Sequence, residues 1–228
     1  MGLFASLFGK REPDRVSTTG LIWLDPESRL EGLAELTQEA ISATDTCAVL
    51  LVSHFANLLD DLEQVADRFS RDVPVLVTLT ENLSQDAAEK LATETDQVLH
   101  IFVAEPHPTR EVEQTIESFA RQLPCKVQLT FCGSMGDPVL EIFIGDVGRK
   151  MLKAIGLEGT EAIESEMVMR RVRGAQVKLQ QSATSDLPAN SAKEWLEINC
   201  PDAKAKQQRS RLQAENVLVQ FGVLHPLR

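Results

Sequence analysis

Between Gly32 and Gly133 the chain contains no glycine. A backbone amide approaches a phosphate closely only where no Cβ stands in the way. That stretch therefore builds neither a G-x-x-x-x-G-K-[ST] loop nor a G-x-G-x-x-G turn, and nucleotide binding of the usual kind is disfavoured. No run approaches the roughly eighteen consecutive apolar residues of a spanning helix. Cysteine is scarce: Cys47, Cys125, Cys132 and Cys200 occur without C-x-x-C spacing and without a secretory signal ahead of them. Free thiols in a reducing cytoplasm are expected. Cys125 and Cys132 flank one extended run and lie too far apart to share a metal, so no metal site is expected. Basic residues are also in deficit. The net charge of −11 argues against a nucleic-acid partner, which needs a surplus of Lys and Arg to neutralise phosphates.

The hydrophobic share of 43% and the charged share of 25% are those of a globular protein. The charge is uneven. Residues 25–124 hold twenty acids and six bases, and the remainder holds fourteen acids and seventeen bases. The first part alternates short apolar runs with amphipathic patterns. Gly20–Leu24, Cys47–Ser53, Val73–Leu79, Val98–Val103 and Lys126–Phe131 read as buried strands. One helix starts at Asp25-Pro26, with Asp25 as cap, and carries Leu30, Leu33, Ala34 and Ile41. A second includes Leu58, Leu62, Val65 and Ala66; a third spans about Ser84 to Thr93, and a fourth Thr109 to Gln122. Strands alternating with helices predict an α/β fold, with a mostly parallel sheet between two helical layers.

After Gly136 the pattern turns helical. Val139, Leu140, Phe143, Val147, Met151, Leu152 and Ile155 form an apolar stripe ending at Gly156. Thr160 precedes a long predicted helix holding Ile163, Met167, Val168, Val172, Ala175 and Leu179. Ser182–Ser191 reads as a loop. Trp195, Leu196 and Ile198 are expected in a short apolar turn, and Val217–Leu224 is an apolar tail. The chain thus divides into an amphipathic arm (1–17), an α/β domain (18–135) and a helical region (136–228). In the arm, Leu3, Phe4, Leu7 and Phe8 sit at helical spacing before Lys10 and Arg11, which suits contact with a membrane surface or docking on a partner. Gly2 and Ser6 also match the short N-myristoylation pattern.

Few residues assemble into chemistry. Ser53-His54 ends the second strand, but neighbours on a strand face opposite ways and the nucleophile-elbow glycines are missing, so no triad is expected. His100, inside an apolar run, reads as a core histidine. Asp60, Asp61 and Glu63 read as a solvated helix face. Helix N-termini stay electropositive without glycine, so Asp86, His107, Arg110 and Arg121 are the candidates for binding a nucleotide or other small anion at the sheet edge. Arg170, Arg171, Arg173 and Lys178 are the candidates for contacting a protein partner. The plain alternative for these four is an ordinary solvated helix.

Asp137-Pro138-Val139-Leu140-Glu141-Ile142-Phe143-Ile144-Gly145-Asp146 resembles the D-D-L-M-R-x-F-G-G-D run of the SecA preprotein translocase motor. Ala162-Ile163-Glu164-Ser165-Glu166-Met167-Val168-Met169-Arg170, followed by Ala175-Gln176-Val177-Lys178, is similar to P-I-E-S-x-M-V-x-R and A-Q-x-K, which open the long scaffold helix of that family. Leu21-Ile22-Trp23 resembles its D-L-I-Y entry to the second nucleotide-binding domain, and residues 107–114 resemble its H-E-S-R-R-I-D-N. The resemblance covers most of 18–211 and is clearest over 137–178. It implies a RecA-like second motor domain followed by the start of a helical scaffold.

The departures imply the function. The family's R-G-R-A-G-R-Q-G-D run corresponds to Ile116–Pro124, where only Arg121 and Gln122 remain. The T-N-M-A-G-R-G-T-D loop has no convincing counterpart, and the first nucleotide-binding domain, the preprotein cross-linking domain and the zinc-binding cysteines are expected to be lacking. An arginine finger is worth about 10³–10⁵ in phosphoryl-transfer rate, so no ATPase and no cofactor are expected. What the resemblance implies is a truncated, non-catalytic relative: a protein-binding or regulatory module tied to preprotein translocation. Its expected place is the cytoplasm, with peripheral contact at the inner membrane through the arm.

Overall fold

The computed structural model describes residues 15–69, 72–84, 96–143 and 161–202. Strand β1 (Val16–Trp23) leads into helix α1 (Pro26–Ser42), then β2 (Thr46–Ser53) and α2 (Leu59–Ala66). Next come β3 (Val75–Leu79), β4 (Val98–Val103), α3 (Arg110–Gln122), β5 (Lys126–Ser134) and α4 (Pro138–Phe143). A short β6 (Ile163–Glu164), α5 (Glu166–Ser182) and α6 (Ala192–Asn199) complete the described elements. The sheet order is β3-β2-β4-β5-β1-β6. The first five strands pair in parallel and β6 runs antiparallel to β1. The α/β expectation holds, with helices on both faces.

Local signals explain the helix starts. The Asp25 carboxylate accepts from the Ser28 amide at 2.7 Å, and Pro26 supplies a helical φ at a position whose N–H would have no partner. Ser165 and Ser191 cap α5 and α6 by accepting from Val168 N and Glu194 N at 3.3 and 3.1 Å. The strands read as near-continuous apolar runs because both faces are covered. Along β2, Val49 and Leu51 pack with Leu33 of α1 and Leu62 of α2, whereas Leu50 and Val52 pack with Ile116 and Phe119 of α3 and Val172 of α5. Each fully buried Leu, Ile or Phe contributes roughly 1.5–3 kcal/mol by leaving water, so the two-sided core dominates the stability.

Several boundaries moved. β5 continues to Ser134 because β1 pairs with it as far as Trp23 opposite Ser134. Ile163, expected inside the long helix, lies in β6 opposite Ile22, and the helix starts at Glu166. The Trp195 segment is a helix rather than a turn, since the Ser191 cap launches it and Trp195 and Leu196 are buried. Ser182–Ser191 is a loop apart from its two end residues, which end α5 and cap α6. The predicted third helix from 85 onward, the stripe beyond Phe143, the apolar tail and the arm to residue 14 lie outside the described residues.

One contact fixes how α1 lies on the sheet. A Cβ built on Gly32 would overlap Nε1 of the buried Trp23 indole. Gly32→Ala is therefore expected to cost about 1–3 kcal/mol by overpacking, although alanine favours a helix. A urea melt that left Gly32→Ala unchanged or stabilised would contradict this packing.

Candidate functional site: the carboxyl edge of the sheet

In an open parallel sheet, a crevice forms where neighbouring strands send their connections to opposite faces. Among the described residues two such places exist. β2 continues into α2 on one face and its neighbour β4 into α3 on the other; β1 continues into α1 and its neighbour β5 into α4 on opposite faces. Both crevices are filled by side chains of the chain itself.

At the β2/β4 crevice the filling is aromatic. Phe55 stacks on His107, with ring centroids 5.1 Å apart and planes at 15°. His54 and Trp195 meet the same imidazole edge-on at 5.2 and 5.6 Å. The Thr109 amide donates to His107 Nδ1 at 3.0 Å, so Nδ1 is the acceptor and the ring is neutral. Burial pulls His107 down to about 4. Burial and the neighbouring His107 also hold His54 well below the usual imidazole range. His54 Nδ1 lies 2.8 Å from Thr80 Oγ1, whereas its buried Nε2 has no partner. Ser53, the other half of the Ser-His pair, exchanges hydrogen bonds with the Phe55 backbone instead.

The crevice between β5 and β1 is filled by ions. Arg29 of α1 donates to Asp137 at 2.6 Å, both side chains being buried. The same carboxylate accepts from Ser134 N at 2.7 Å and Ser134 Oγ at 2.8 Å. Glu105, just past β4, is buried, and desolvation with the nearby Asp137 pushes its carboxyl up to about 8 despite the opposing pull of Arg29. One Glu105 oxygen and Arg29 Nε have no partner.

Of the expected ligand residues, Arg110 and Arg121 meet the same carboxylate, that of Glu117. Asp86 is outside the described residues. Arg110 is half-buried and already matched by Glu113 at 3.0 Å and, more closely, by Glu117. Arg121 is 65% exposed and reaches Glu117 at 3.7 Å. Gln176 of α5 donates to Glu113 at 2.6 Å and to the His107 carbonyl at 2.9 Å, tying α5 to the start of α3. Burial pushes Glu113 up to about 7, against the pull of Gln176 and Arg110. On α5, Arg170, Arg171 and Lys178 are exposed and Arg173 is partly so. Arg170 and Arg173 each come within 3.6 Å of Glu166. Leu3, Phe4, Leu7 and Phe8 fall outside the described residues.

Sequence reasoning missed Arg29, Glu105, Glu113, Asn199 and Trp195 as organising residues. The one readable signal for Arg29 was a basic residue four before Leu33, on the apolar face of α1. His100 is buried as expected, 3.3 Å from Thr46 Oγ1. Among the described residues no group of three or more potential ligands is placed to hold a metal, and no helix is long and apolar enough to cross a membrane.

A parallel sheet covered by helices, with its polar side chains gathered at the strand carboxyl ends, is a RecA-like α/β architecture. Within that class the chain is similar, over part of its length, to the protein translocase subunit SecA. It is 32% identical to SecA of Acinetobacter baumannii strain ATCC 17978 over 124 residues, which is 54% of this chain and 14% of that protein. It is 35% identical to SecA of Psychrobacter sp. strain PRwf-1 over 82 residues, 36% of this chain and 9% of that one. The SecA of Alcanivorax borkumensis is 33% identical over a stretch of the same length. The matched stretch thus spans about one-seventh of the length of the first of these relatives. No protein-family model matches the chain.

Proposed function

We propose that this SecA-like protein is a non-catalytic module that binds a protein partner in connection with preprotein translocation. The carrying observation is that the cationic groups near the strand ends are consumed internally: Arg29 by Asp137, and Arg110 by Glu113 and Glu117. A phosphate approaching Arg110 would have to displace two carboxylates. α3 supports the same reading, because Ile116, Phe119 and Ala120 of the run that corresponds to the family's arginine-rich motif point into the core. The partner surface is the exposed side of α5 with Arg170, Arg171, Arg173 and Lys178, which would meet an acidic surface on a translocase component. The protein is cytoplasmic in this reading, and Leu3, Phe4, Leu7 and Phe8 make its peripheral contact with the inner membrane.

Isothermal titration with ATP and ADP, with and without magnesium, tests the reading. No heat and no thermal stabilisation are expected, since a bound ligand must stabilise the fold. Micromolar binding would overturn it in favour of a nucleotide or other small-anion site drawing on Asp86, His107, Arg110 and Arg121. The partner surface is tested by reversing charge at Arg170, Arg171 and Lys178. Binding to translocase components is expected to fall at least about tenfold, the equivalent of ~1.4 kcal/mol; unchanged binding would remove α5 from the interface.

A further inference from the structure

The β2/β4 crevice is closed by a residue that comes from outside the sheet. Trp195 belongs to α6, which is joined to α5 by the strap 183–191. The strap and α6 keep most of their polar bonds to themselves. Asn199 accepts from Leu187 N and Ser185 Oγ through Oδ1, each at 2.7 Å, and donates to Leu187 O at 3.0 Å. Its carbonyl accepts from Thr184 N at 2.8 Å. Toward the sheet domain the strap makes one backbone bond, from Asn57 N to Asn190 O at 3.1 Å. The remaining hold on the crevice includes the Trp195–His107 ring contact. A unit whose polar bonds are internal can move away as a body without stranding buried donors and acceptors.

What the unit covers has the character of a binding site. Phe55 and His107 offer flat aromatic walls, and both imidazoles are buried beside one another, where a charge is costly. His54 Nε2 is buried there without a partner. A buried polar atom left unpaired beside an aromatic cluster is the place for a hydrogen-bonding group on a planar ring. Of the charged groups near this crevice, Asp186 acts on His107 but belongs to the strap and leaves with it, while Arg110 is held by Glu113 and Glu117 and Gln176 holds Glu113.

We propose that α6 is a resident plug, and that the crevice beneath it binds a neutral, planar heteroaromatic ring whose place the Trp195 indole occupies in the closed state. The proposal goes beyond partner binding and stands independently of it. Ligand binding and seating of Trp195 exclude each other, so such a ligand would release α6 and its strap from the sheet edge.

The test uses the full chain with Trp195→Ala and free indole as the probe. Removing the side chain opens an apolar, aromatic space of the kind that takes up a matching small molecule. At about ten times its Kd, indole is expected to raise the Tm of Trp195→Ala by about 3 °C and to raise that of the wild type by much less. A folded Trp195→Ala protein with no indole-dependent shift, or an equal shift in both proteins, would overturn the proposal. If Trp195→Ala does not fold, hydrogen exchange on the wild type decides. Indole is then expected to speed exchange in α6 while β2 and β4 stay protected. Exchange in α6 that indole leaves unchanged would overturn the plug.

Discussion

Arg29→Met is expected to destabilise the protein by about 3–5 kcal/mol, because it strands the Asp137 carboxylate in the interior. Asp137 is 5% exposed, and its partner guanidinium is 2% exposed. Ser134 N and Oγ still donate to the carboxylate, but two neutral donors do not neutralise a buried charge. Against a total stability of roughly 5–15 kcal/mol, the loss is large enough to lower the Tm by about 6–20 °C at the usual slope for a chain of this size. The double variant Arg29→Met/Asp137→Leu should recover much of the loss, since removing both charges also removes the desolvation cost. Urea melts of the three proteins check this. A single variant within 1 kcal/mol of the wild type, or a double variant worse than both singles, would show that the pair is not the tie between α1 and the start of α4.

The second large effect is a dependence on pH. The Glu105 carboxyl titrates at about 8 in the fold, against an ordinary value of 4.5, chiefly through desolvation and then through Asp137. Its folded pKa is raised, so its contribution to stability is fully present below about 4.5. As pH rises, the unfolded chain ionises first and draws the equilibrium toward itself. The contribution is lost progressively until pH passes about 8. Glu105→Gln removes the titration, so the variant should gain on the wild type by up to a few kcal/mol between pH 5 and 8.5. Glu113, Arg29 and Asp137 remain in both proteins, so the difference between the two curves isolates Glu105. Parallel curves across that range would rule out a neutral Glu105 in the native state.

Much of the framework was legible along the chain. β4 runs over the predicted Val98–Val103, and β2 begins one residue early. Asp25 caps α1 as expected. These features depend on neighbours within a few residues, through apolar periodicity and capping, so a local reading reaches them. The likeness to SecA was legible as well, since it rests on ordered strings such as those at 107–114 and 137–170, and matches to SecA from several bacteria support it. Where local reading failed, a distant partner decided the outcome. β5 is extended by β1, more than a hundred residues before it. Ile163 became a strand residue because Ile22 was there to pair with it.

The site shows the division most clearly. His107 and Arg110 drew notice as basic groups where a helix begins, and Arg121 as a residue kept from the family's arginine-rich run. Their roles depend on partners that spacing does not reveal. Gln176 reaches across 63 residues to Glu113, and Arg29 across 108 to Asp137. Trp195 closes a crevice lined by His54, Phe55 and His107 from two separate turns of the chain. Period and composition establish which residues are buried and in what kind of element, because those follow from the chain's own geometry. Whether a buried arginine is matched, a glutamate is kept neutral or a crevice is filled depends on the field and packing of groups brought together only by folding. For this protein, folding alone decides that Arg29 and Arg110 meet carboxylates of their own chain.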